Sequence, residues 1–299
     1  MFMGTKITCS SEHPFYCGIV DLLLISITIK SVISTQKGRL LLFRLIKNEF
    51  VKLRGPVILT IVILSLVAIV LSSTMYQNYM IDYGLEAWEI GVEILNFLFP
   101  LFVVVPICWL MYYERKDKFL LYTLPRVSKR KYLSAKWIVA AISAFAIIFV
   151  PYFLSAVFIL YIKQPVIPEL VRSPEVSPFA HVYLDMFVNK PLLYAFLLSL
   201  WKGIIGVLVM NLGFVLSLYV KNIFIVLTGP FIYVILENFV LSILGLEKYR
   251  LVTSFEPTTI ADSGISAVSP LVGPILLVIV TVIVWYVLSK VNHKTVYEV

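Results

Sequence analysis

The chain has 299 residues, 60% of them hydrophobic and 14% charged, with a mean hydropathy of +0.96. A soluble domain averages about 45–50% apolar and about 25% charged residues, so this composition excludes a soluble globular protein and indicates an integral membrane protein. The net charge of +8 sits in loops between apolar runs, where it reports topology and contact with anionic lipid rather than nucleic-acid binding.

Residues 1–38 are read as an N-terminal extension and 39–299 as one transmembrane domain. Within the extension, Phe15–Ile29 is apolar but short and contains Asp21. It lacks the basic n-region and small-residue cleavage site of a signal peptide. It reads either as an extra interfacial helix or as the product of an early start codon. Next comes Leu40–Arg54, in which Leu42, Phe43, Ile46, Phe50 and Leu53 recur at helical spacing. Arg44, Lys47, Lys52 and Arg54 lie elsewhere on the wheel, so an amphipathic helix in the membrane interface is expected. Two readings stand for it: a basic juxtamembrane anchor, or an elbow helix packed on the transmembrane core with Arg44, Lys47, Glu49 and Phe50 as its working residues. Gly55-Pro56 is expected to turn the chain into the bilayer.

A membrane-crossing helix needs ~20 mostly apolar residues. Six segments qualify: Pro56–Thr74, Gly91–Tyr112, Trp137–Ile162, Leu192–Val220, Ile223–Gly245 and Pro270–Ser289. The fourth is too long for a perpendicular span, and either tilts or begins with an interfacial piece near Tyr194. Eighteen Lys and Arg precede span one, separate spans two and three, separate spans four and five, or follow span six, against six on the other side after residue 30. That excess places both termini in the cytoplasm. The loop at Tyr76–Glu89 carries Asp82, Glu86 and Glu89 and no basic residue, as an outer loop does.

Between spans two and three lies Glu114–Lys136, with eight of the chain's 25 Lys and Arg. It contains an apolar insert, Phe119–Leu124, stopped by Pro125. Charge alone is satisfied by lipid contact, whereas anchoring does not require the insert. A short helix there, parallel to the membrane, can receive a push from a soluble partner.

Polar residues inside the spans are few, and ionisable ones are costly there. Lys202 in span four, Glu237, beside Asn238, in span five, and Glu93 at the opening of span two are the candidates. They read either as a Lys202–Glu237 ion pair or as side chains snorkelling to the outer interface. Asn211 and Ser217 are expected to donate hydrogen bonds between helices. Pro100, Pro106, Pro151, Pro230 and Pro274 punctuate the spans as kink points. The loop Leu246–Ser269 is amphiphilic and fits either a pair of short helices re-entering the outer leaflet or an ordinary extracellular loop.

Several chemistries are absent. The chain has no GxxxxGK[ST] phosphate loop and no HExxH, GxSxG or paired-cysteine zinc pattern. His13, His181 and His293 are isolated outside the spans, and Cys9, Cys17 and Cys108 show neither metal spacing nor an even count for a disulfide framework. Neither catalytic nor metal-ligating residues are assigned.

This pattern resembles the ABC-2 type family of ATP-binding-cassette transporter permeases over Arg39 to Lys294. The match rests on Glu114-Arg115 after span two, the apolar segment ending in Leu124-Pro125, the basic Lys129-Arg130, and Lys136 before span three. The Gly-Thr common after Glu-Arg in that family is absent and the interval to the proline is shorter, which marks a divergent subfamily. The resemblance implies an all-α polytopic fold: six transmembrane helices, an N-terminal amphipathic elbow helix, a cytoplasmic coupling helix, and re-entrant helices between spans five and six. It implies a permease subunit, an exporter in a bacterial cell membrane, that is not itself an enzyme and binds no cofactor. ATP and Mg would act in a separate ABC ATPase subunit. A second permease chain, identical or related, and membrane lipid complete the implied partners, with no nucleic acid. Glu114, Arg115, Phe119, Leu120, Leu121, Leu124 and Pro125 are the implied coupling residues. Two other classes remain open: a membrane sensor or assembly subunit without transport of its own, and an intramembrane enzyme.

Overall fold

The computed structural model describes residues 36–79, 81, 83–117, 128–163, 184–257 and 269–291. Among the described residues there are eight α-helices and no strand. They are α1 (Gln36–Thr74), α2 (Glu86–Lys116), α3 (Lys129–Tyr161), α4 (Leu184–Asn189), α5 (Pro191–Tyr219), α6 (Ile223–Ile243), α7 (Leu251–Phe255) and α8 (Ser269–Val291). Two 3-10 turns, Met75–Asn78 and Glu247–Tyr249, lie in the connections. Six helices (α1, α2, α3, α5, α6 and α8) are long and apolar enough to cross a membrane. The protein is an all-α polytopic membrane protein.

The spans alternate in direction, so the Lys- and Arg-rich connections share one end of the bundle, here called the basic end. There Tyr112 donates to the carbonyl of Lys221 at 2.6 Å, and Arg115 donates to the carbonyl of Val220. At the opposite end Lys163 donates to the carbonyl of Ser73 at 3.0 Å. The core runs along α2, whose Phe99, Val103, Val104 and Cys108 are fully buried, the last three beside Gly206 and Gly213 of α5. Of the six spans α2 is the most enclosed and α8 the least. The outward faces are apolar, as in Phe224, Phe239 and Ile283, which suits contact with hydrocarbon.

Close helix approach depends on small residues. A Cβ on Gly91 of α2 would lie 2.2 Å from Cα of Ser72 on α1. Helix α6 starts with Asn222, whose side chain accepts the Phe224 amide at 2.9 Å. It ends at Gly245, with φ +68°. Leu246 N–H reaches the Leu241 carbonyl and Gly245 N–H reaches that of Ser242, a Schellman closure that needs a left-handed residue.

The structure corrects several boundaries. Gly55-Pro56 does not turn the chain: the amphipathic segment and span one form a single helix with Pro56 inside it. Leu53 and Val57, on either side, are both buried against the bundle, so packing holds the helix through the missing proline donor. Span four is continuous from Pro191, and Tyr194 is buried within it; the separate piece lies earlier, as α4. Glu86 and Glu89, expected in a loop, are buried in the first turn of α2.

Candidate functional site

Among the described residues two buried polar centres stand out in the bundle, one at the basic end and one deeper in it, toward the other end. At the basic end, α1, α2 and α3 each contribute charge. Lys52 lies 2.8 Å from Glu49 and 2.9 Å from Glu114. Lys136 lies 2.9 Å from Glu49 and also pairs with Glu114. The Tyr132 hydroxyl donates to Glu114 at 3.1 Å. The four charges alternate in sign, and each carboxylate answers two ammonium groups. Glu49, Glu114 and Lys136 are buried. An isolated ion there would carry a desolvation penalty of several kcal/mol, which mutual pairing offsets. Beside this lattice lies a cavity of about 20 Å³, walled by Glu49 and Lys136 on its polar side and by Leu53, Ile107, Met111 and Phe214 on its apolar side. It has room for about one water molecule.

This lattice rearranges the expected roles of the first helix. The apolar residues Phe43 and Phe50 face outward, while Glu49, Leu53 and Val57 face the bundle. Arg44 and Lys47 are exposed and outside the lattice. Glu114 is joined to it; Arg115 instead reaches α5, and its guanidinium sits 5.3 Å from the Tyr112 ring. Phe119, Leu120, Leu121, Leu124 and Pro125 lie outside the described residues.

The second centre lies toward the opposite end. Lys202 of α5 is fully buried and pairs with Glu256, the residue that follows α7. Asn96 of α2 donates to the same Glu256 oxygen at 3.0 Å. The ammonium is 5.2, 4.7 and 5.3 Å from the ring centroids of Trp88, Tyr152 and Phe255. Phe255 stacks on Phe99 with centroids 4.0 Å apart. Trp88 is fixed in turn by donating to the Tyr152 carbonyl at 3.1 Å and to Ser155 Oγ at 3.0 Å. Cation and rings attract one another electrostatically in this arrangement.

The Lys202–Glu237 pair is thus corrected. Glu237 instead accepts the Leu251 amide with both carboxylate oxygens, at 3.0 and 3.1 Å, and so holds the start of α7. Neither Lys202 nor Glu237 snorkels; both are buried. Asn238 is half-buried and outside either centre. Asn211 links α3 to α5 as an acceptor, from Trp137 Nε1 at 2.6 Å. Ser217 bonds the Phe214 carbonyl of its own helix rather than a neighbour.

Between spans five and six, α7 enters the bundle: Leu251 and Phe255 are fully buried, and Trp201 of α5 donates to the Ser254 carbonyl at 2.9 Å. The connection therefore contains a short inserted helix, Leu251–Phe255, capped by Glu256. Residues 258–268 lie outside the described residues. Sequence reasoning did not assign Lys52, Lys136, Asn96 or Glu256 to a buried polar centre. The available signals were a polar residue within span two at Asn96 and a carboxylate directly after Phe255.

Comparison with models of protein families, with curated proteins and with solved structures finds no match.

Proposed function

We propose that this protein is the membrane-spanning subunit of an ATP-driven exporter of the ABC-2 permease type, in a bacterial cell membrane with the basic end in the cytoplasm. ATP and Mg bind and react in a separate ATPase chain, and a second permease chain completes the assembly. The observation that carries the reading is the lattice of Glu49, Lys52, Glu114 and Lys136. Glu114 precedes, and Lys136 follows, the connection that contains the apolar insert Phe119–Leu124. A force applied to that connection would reach α2 and α3 through the chain and α1 through the lattice. ATP shifts the spans between inward- and outward-open states only if the ATPase binds one state more tightly.

The test is a Phe119→Asp/Leu120→Asp variant in the native membrane, with the ATPase partner assayed by co-purification and by ATP hydrolysis. Wild type should retain a P-loop ATPase whose hydrolysis depends on the permease, and the variant should lose it. A chain that purifies without any ATPase, or a variant with undiminished co-purification and transport, overturns the coupling assignment. A complex that forms without altering ATP hydrolysis favours a sensor or assembly subunit instead.

A further inference from the structure

We propose that Lys202 is the fixed half of a binding site for an amphiphilic anion, an apolar body ending in a carboxylate, and that Glu256 occupies this site as a tethered competitor. The substrate class rests on the permease reading; the binding site itself does not.

Lys202 projects from the middle of a continuous 29-residue helix and is fully buried, so it needs an anion wherever it is charged. The carboxylate that answers it comes from a connection rather than from a span. Glu256 follows the five-residue α7, and the polar contacts of that insertion with the spans include the Glu237–Leu251 and Trp201–Ser254 hydrogen bonds. Phe255, one wall around the ammonium, comes from the same insertion. Withdrawal of α7 would remove the anion and one aromatic wall together. What remains on α2, α3 and α5 is the Lys202 ammonium, the Asn96 amide, and the Trp88 and Tyr152 rings.

That remainder selects its ligand. Its fixed groups are a cation and hydrogen-bond donors, which suits an anion. Two further buried hydroxyls make no hydrogen bond among the described residues: Tyr152, whose ring faces the ammonium, and Ser199, one turn before Lys202 on α5. Each hydroxyl can donate, and neither has an acceptor among the described residues. Buried polar groups of this kind are normally satisfied, and an exception calls for a water, an ion or a ligand. The aromatic walls suit an apolar body next to the charge. An incoming carboxylate would take over the pairing that Glu256 makes and leave α7 free to move.

The experiment is equilibrium binding of radiolabelled dodecanoate to the full chain in an uncharged detergent, with dodecyltrimethylammonium as the cationic control. Glu256→Gln should bind dodecanoate at least tenfold more tightly than wild type, Lys202→Gln should not bind it, and neither should take the cation. The exchanged pair Lys202→Glu/Glu256→Lys keeps one charge of each sign and should reverse the preference, binding dodecyltrimethylammonium and not dodecanoate. In wild type, saturating dodecanoate should speed amide hydrogen exchange across Leu251–Phe255. Equal dodecanoate affinity in wild type and Glu256→Gln, binding retained by Lys202→Gln, or unchanged exchange in wild type overturns the proposal. No ATPase is present in these measurements. A chain that binds dodecanoate but never recruits an ATPase leaves this site standing and overturns the permease reading alone.

Discussion

Lys136 on α3 and Glu49 on α1 lie 2.9 Å apart with both side chains almost completely buried. They join the ends of two spans that are far apart in sequence, and Glu114 and Lys52 close the same lattice through α2. Because each charge is answered twice, removing one leaves an excess of the opposite sign in a low-dielectric setting.

Lys136→Met should therefore be strongly destabilising, by about 3–5 kcal/mol, the usual effect of removing one partner from a buried pair. Thermal unfolding in detergent measures it. The double variant Lys136→Met/Glu114→Leu removes one charge of each sign and should recover much of the loss. Additive losses in the double variant would show that the pairing does not hold these spans together.

Glu237 tests the anchoring of α7. Glu237→Ala strands the buried Leu251 amide, at a cost of about 1–3 kcal/mol for an unsatisfied donor. Glu237→Gln keeps an acceptor oxygen and should lose much less. Hydrogen exchange at Leu251 reports the difference directly; equal protection in the two variants would remove the anchoring role.

The α1–α2 crossing is set by Gly91. Gly91→Ala would drive a methyl into Ser72 backbone atoms at 2.2 and 2.4 Å, which no side-chain rotation relieves. The helices must separate, at a cost of about 1–3 kcal/mol or more. Gly55→Ala, where nothing lies within 4 Å, should instead leave the fold unchanged or stabilise α1 by up to about 1 kcal/mol. Folded yield and melting temperature of the two variants should move in opposite directions.

Phe255 packs face to face on Phe99 and edge to face on Tyr152. Phe255→Ala should cost about 3–5 kcal/mol, as for other buried aromatics. Because the loss falls on α7, proteolysis within Leu246–Pro257 should rise before the spans themselves unfold. Cleavage that appears only on global unfolding would contradict this.

The lattice and the Lys202 centre were legible to different degrees. Glu114 and Glu49 were singled out from the sequence, one beside the basic connection and one on the amphipathic helix. Their meeting was not foreseen, because periodicity gives the apolar stripe of α1 but not which residues of α2 and α3 its polar side chains meet. In α1 the apolar Phe43 and Phe50 face outward, and Glu49 turns inward to find its partners. Lys202 and Glu237 were correctly singled out as costly residues inside spans, but their pairing was not. Each found a partner in the Leu246–Pro257 connection, whose entry into the bundle leaves no periodic signal in so short a helix.

The sequence by itself determined the all-α class, the six spans and the gathering of basic residues at alternate connections. Those follow from the length of each apolar run and the charges at its ends, which are local properties of the chain. Tertiary structure alone decided which helix face points inward, that α1 continues through Pro56, and that Glu256 rather than Glu237 answers Lys202. A buried charge must be paired, but its partner is set by helix rotation and by which connection folds back among the spans. Neither is fixed until the helices pack.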